Sequence, residues 1–101
     1  MTVTVSRCQL LIPTAGHACL ALVDVVLRAG PQDAWMIRGL RVLRTSAGGL
    51  RVAVPARRRV GRGWHDVCFP LTPTSRAALD RAVLAVVRRR LHAPRHCEPQ
   101  R

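Results

Sequence analysis

Gly49-Leu50-Arg51-Val52-Ala53-Val54-Pro55-Ala56-Arg57-Arg58-Arg59 sets a strand end beside a block of charge. Leu50, Val52 and Val54 recur at every second position, the period of a strand with one buried face. Pro55 ends the run, because it has no N–H to give to a ladder and is confined to strand ends and edges. Three arginines follow at once, with Arg62 close behind. The chain is thus expected to aim fixed positive charge into solvent from a loop over residues 55–63.

At 101 residues and 11.1 kDa the chain is expected to form one domain. A chain of this size buries roughly 60–70% of its extended surface, enough for one modest core. Only Trp35, Trp64 and Phe69 are aromatic, so the core falls to Val, Leu and Ala. The same scarcity leaves few rings on which bases could stack. Seventeen arginines and no lysine face five acids, a formal charge of +12. Such a charge on a small body repels itself, and a polyanion would relieve the repulsion. Arginine also forks onto phosphate in a way that lysine cannot. Nucleic acid is therefore the expected partner, ahead of a merely solvated surface and of an acidic membrane or protein surface.

The apolar run over residues 18–23 stops at Asp24. It is too short for a signal peptide, and a spanning helix needs about 20 apolar residues. The expected location is cytoplasmic, with no membrane partner and with the cysteines as reduced thiols.

Residues 2–12 and 17–28 read as two strands joined by Pro13-Thr14-Ala15-Gly16. A symmetric hairpin there sets Leu10 opposite Cys19 and Cys8 opposite Ala21. One face then carries Cys8, Leu10, Ile12, Cys19, Ala21, Val23, Val25 and Leu27, and the other Arg7, Gln9, Asp24 and Arg28. Gly30-Pro31-Gln32-Asp33 is a loop. Residues 35–44 form a third strand, interspersed with Arg38, Arg41 and Arg44. Residues 45–49 turn, and residues 50–54 return antiparallel. Residues 64–71 read as a last short strand, closed by Pro70.

The remainder is helix. Thr72 or Thr74 can cap it, Pro73 suits its first turn, and residues 76–91 contain no breaker. Leu79, Val83, Val86 and Val87 make an apolar stripe widened by Leu84 and Leu91, with Arg81 and Arg88 on the opposite side and Arg89 nearby. Strands first and one helix last predict an α+β fold with a small antiparallel sheet of four to five strands. The domain spans residues 1–91, and residues 92–101 form a flexible basic tail.

This layout resembles the SpoVG family, the stage V sporulation protein G or septation regulators. Gly49-Leu50-Arg51-Val52-Ala53-Val54-Pro55-Ala56 is similar to the family's G-L-F-V-A-M-P-S signature, and Arg57 and Arg58 fall on its following basic pair. Asp66-Val67-Cys68-Phe69-Pro70-Leu71 resembles its D-I-A-H-P-I segment. Ser75-Arg76 and Ala82-Val83-Leu84 match the T-R and A-V-L of its C-terminal helix. The likeness runs almost without gaps over residues 38–90 and is looser before residue 30. It implies a small α+β homodimer that binds DNA and RNA, regulates gene expression, septation and sporulation, and has no enzymatic activity. Arg51 stands where the family has a bulky apolar residue, Ala56 replaces its serine and Phe69 its histidine. A charge cannot sit unpaired in a core, so Arg51 is expected to be exposed, or paired with Asp24 or Asp66.

The residues expected to contact nucleic acid are Arg57, Arg58, Arg59 and Arg62 in the loop, and Arg76, Arg81, Arg88 and Arg89 on the outer helix face. The plainer readings are a solvated hairpin tip and, for Arg88 and Arg89, favourable charge at a helix C-terminus. Trp35 and Trp64 are expected in the core or a dimer interface rather than as stacking platforms. His17 with Cys19, and His92, His96 and Cys97, lack the paired spacing of a zinc finger, so no metal or other cofactor is expected. His65 and Cys68 point to opposite faces of the expected strand, as do His65 and Asp66. No paired carboxylates and no phosphate loop appear, so neither enzyme activity nor a small-molecule substrate is expected. The main alternative function is a protein-binding adaptor in cell division whose charge serves solubility.

Overall fold

Apolar alternation across residues 2–54 builds a four-stranded antiparallel sheet in the computed structural model, which describes residues 1–12, 18–61 and 63–92, Arg59 by its backbone alone. The strands are β1 (Thr2–Leu10), β2 (Cys19–Gly30), β3 (Asp33–Arg44) and β4 (Leu50–Ala53), in that spatial order. A separate two-stranded ribbon follows, β5 (Ala56–Arg59) with β6 (Gly63–Asp66), and then helix α1 (Pro73–His92). The fold is α+β, as the order of elements predicts.

Helix α1 lies across one face of the sheet. Leu79, Val83 and Val87 recur at helical spacing and meet Ala21, Val23 and Val25 of β2, Leu40 and Val42 of β3, and Val52 and Val54 at the end of the sheet. Burying each Val or Leu fully contributes about 1.5–3 kcal/mol, so this layer supplies most of the driving force. Thr72 caps the helix: its Oγ1 accepts from the Ser75 N–H at 3.1 Å, and Pro73 takes the first helical position. Leu84 and Val86 are half-buried, but Leu91 is exposed, because the stripe runs past the sheet there.

The β1–β2 register is two residues away from the symmetric expectation. Leu10 faces Ala21 and Cys8 faces Val23. Because side chains alternate with period two, a two-residue slip leaves Cys8, Leu10, Ala21, Val23, Val25 and Leu27 on the core face, as expected. Ile12 and Cys19 depart from it: Ile12 is exposed because β1 ends at Leu10, and Cys19 pairs with Leu43 across a register shift, on the side of Arg51. The turn residues 13–17 and the tail residues 93–101 lie outside the described residues, as does Arg62.

Two bulges flank Asp24. Ser6 is the extra residue between Val5↔Val25 and Arg7↔Asp24, so Val3 and Val5 share the core face with Cys8 and Leu10. On the other side, Arg38 and Gly39 intervene between Val25↔Ile37 and Val23↔Leu40. Gly39 adopts φ 82°, and its N–H donates to Asp24 Oδ1 at 3.1 Å. Paired extra residues raise the local twist and curve the sheet around the helix.

Two further expectations fail. Residues 55–63 are not a plain loop: β5 and β6 pair there, and the Val67 N–H extends the ladder to the Pro55 carbonyl at 2.8 Å. Residues 64–71 are not one strand either, since β6 stops at Asp66 and Cys68, Phe69, Pro70 and Leu71 instead border an apolar cavity.

Candidate nucleic-acid interface

Opposite residues of an antiparallel pair share a face, and this rule divides the arginine block. Arg58 faces Trp64 and Ala56 faces Asp66 on one side of the ribbon. Arg57 faces His65 on the other, and the backbone of Arg59 pairs with that of Gly63. Arg57 and Arg58 are both exposed. Arg57 and Arg58, expected in a single cluster, therefore lie on different faces with different neighbours.

The face carrying Ala56, Trp64 and Asp66 turns toward the open edge of β4. Together with Arg41, Arg51, Arg76 and residues 52–54 it lines an open cleft of about 270 Å³. Arg41 and Arg51 reach it from the sheet face away from the helix. Register places them there, since Arg41 faces Ala53 and Arg51 faces Leu43, out of phase with the core pair Val42↔Val52. Arg51 is exposed, which is how a charge is accommodated at that position of the strand.

Arg76 does not lie on the outer helix face with the other helical arginines. Its guanidinium turns to the sheet edge, where Nη2 donates to the Val52 carbonyl and Nε lies 3.2 Å from Asp80 Oδ1. A residue of the first helical turn is thus fixed to the edge strand, with its charge set at the cleft mouth. Arg81, Arg88 and Arg89 are exposed along α1, and Arg81 and Arg88 share one stripe by their spacing. Arg89 also sits in the last turn, where its charge complements the helix dipole.

Neither tryptophan lies in the core, one of the two places expected for them. Trp35 is 73% exposed and Trp64 is 68% exposed. Trp35 lies opposite Leu27 of β2. Trp64 stands on the ribbon across from Arg58. Arg41, Arg51 and Trp64 were not among the expected contact residues. The alternation around Arg41 and Arg51 already marks both as facing away from the core, but their meeting with Trp64 depends on how the ribbon folds back after Pro55.

His65 and Asp66 occupy opposite ribbon faces, and Cys68 sits beyond the strand at the apolar cavity. Among the described residues, no three His, Cys, Asp or Glu side chains gather where a metal could bind. No described helix is long and apolar enough to cross a membrane.

No protein-family model matches the chain. It is 34% identical over 58 residues to the Myxococcus xanthus (strain DK1622) protein named "Putative septation protein SpoVG", and the match covers 57% of this chain and 58% of that protein. The match thus spans less than two thirds of that protein, which bears the family name to which the Gly49–Ala56 motif points.

Proposed function

We propose that this chain is a SpoVG-type septation regulator that binds DNA or RNA through arginine–phosphate contacts and acts as a homodimer without enzymatic activity. The observation that carries this reading is the +12 charge, displayed on exposed Arg57 and Arg58 of the ribbon and exposed Arg81, Arg88 and Arg89 of the helix. The similarity to the septation protein supports the biological setting. None of these arginines lies on an element shaped as a recognition helix with Asn or Gln at base-reading positions, so phosphate contact outweighs sequence readout.

A salt series tests it. Binding to duplex DNA is expected to weaken linearly in log–log form, with a slope near −0.9 for each phosphate neutralised. The triple replacement Arg57→Ala, Arg58→Ala, Arg59→Ala should flatten that slope while circular dichroism stays unchanged. Absence of saturable binding to DNA and RNA at low salt would remove the proposal.

The second reading, a protein-binding adaptor, draws on the apolar end of the molecule. Met1, Phe69 and Leu71 are exposed there around a cavity of about 280 Å³. Exposed apolar groups around a concavity suit a protein partner or a second copy of this chain. The adaptor reading gains if the salt series finds no polyanion dependence.

A further inference from the structure

We infer that the cleft between the β4 edge and the ribbon takes single-stranded nucleic acid, with one base stacked on Trp64 and the adjoining phosphates on Arg51 and Arg41. The inference rests on the nucleic-acid reading and assigns it a place and a strand state.

Three observations converge. The cleft of about 270 Å³ joins sheet arginines to an indole on a different element. Trp64 is 68% exposed in a chain with three aromatic residues, although a buried ring would have strengthened a core built from Val, Leu and Ala. Arg76 is tied to Val52 and Asp80, so one of the three cleft guanidinium groups is already positioned before any ligand arrives, with half-buried Arg41 lining the same cleft. Positioned charge beside an exposed ring is the arrangement that binds unpaired strands: the groove follows the backbone, and the ring takes a base face.

The strand state follows from what each ligand can offer. In a duplex the base faces are already stacked, and exposing one costs a few kcal/mol. A single strand presents its faces freely. Asp66, the acid lining the cleft, sharpens the placement. Its carboxylate repels phosphate but accepts from the exocyclic amine of a base edge. The base therefore lies toward Trp64 and Asp66, and the phosphates lie toward Arg51 and Arg41. Bases with an exocyclic amine should be preferred over thymine or uracil.

The test uses the full chain with Trp35→Phe, which leaves Trp64 as the indole reporter. It is titrated at low salt with oligo(dC) and oligo(dT) of about 12 nucleotides and with a duplex of equal length, within the site size such grooves span. Anisotropy of the labelled strands gives binding independently of the indole. Oligo(dC) should quench Trp64 saturably and bind more tightly than oligo(dT) or duplex. Arg51→Gln and Trp64→Ala should each weaken single-strand binding about tenfold, and Trp64→Phe should restore most of it. Arg51 and Trp64 are both exposed, and unchanged melting confirms that the variants fold. Binding by anisotropy with silent Trp64 emission and no effect of Arg51→Gln overturns the cleft and leaves the nucleic-acid reading standing. No anisotropy change with any strand overturns both.

Discussion

Asp24 carries more of the sheet's shape than its single charge suggests. It lies between two bulged neighbours, opposite Arg7 on β1, and its carboxylate receives the Gly39 N–H on β3. Removing the carboxylate by Asp24→Ala exchanges this exposed bond for one to water and should lower stability by about 0.5–1.5 kcal/mol in urea unfolding. Gly39→Ala tests the same bulge from the other strand. A Cβ at Gly39 would meet nothing within 4 Å, so its cost comes from the backbone alone, about 1–2 kcal/mol for a non-glycine residue at φ 82°. An effect below a few tenths of a kcal/mol for both variants would mean that the bulge does not set the sheet's curvature. At this scale the sequence is partly readable. The change of phase between Val3, Val5 and Cys8, Leu10 marks the first bulge, and a glycine inside the apolar pattern of β3 marks the second. What Asp24 does is not readable, because it depends on what stands across from it.

Helix α1 and the ribbon are opposite cases of legibility. The helix announces itself through Thr72-Pro73 at its start and Leu79, Val83 and Val87 along one stripe. Thr72→Ala should cost about 0.5–2 kcal/mol and lower the melting temperature, because the Ser75 N–H then loses its capping oxygen. A melting temperature equal to the parent's would show that Pro73 alone starts the helix. The ribbon shows no comparable signal. Its strands are short and Arg57, Arg58 and Arg59 carry no apolar alternation, so charge alone reads as loop. Pairing there relies on Gly61 and Gly63, both at positive φ, and on Pro55, whose missing donor detaches the ribbon from β4. The candidate site inherited that difficulty. The ribbon arginines were evident as a charge block, but their separation onto two faces needs the register.

For the molecule as a whole, charge and apolar exposure pull against each other. A net +12 disfavours close approach of two copies, yet Met1, Trp35, Phe69 and Leu71 are all exposed. Self-association is expected to strengthen as salt screens the repulsion, over a Debye length of about 10 Å at 0.1 M. Sedimentation velocity should find a dimer fraction rising with salt, and Trp35→Glu should shift the distribution to monomer. A monomer at every concentration and salt would exclude the homodimer. The opposite salt trends of self-association and nucleic-acid binding allow the two to be separated in one protein preparation. The fold class was legible from element order alone. The helix's position across the sheet was not, since it depends on long-range contacts between residues far apart in the chain.

The bond from Arg76 to the Val52 carbonyl has one more consequence. β4 is the last strand of its sheet, and its outward carbonyls form a row of acceptors that another extended chain could extend. A bulky cation seated on one of those acceptors blocks the addition of a fifth strand at that point. Replacing it should expose a template for intermolecular pairing, so Arg76→Ala would lower the protein's resistance to fibre growth even in conditions where its folding equilibrium is unchanged.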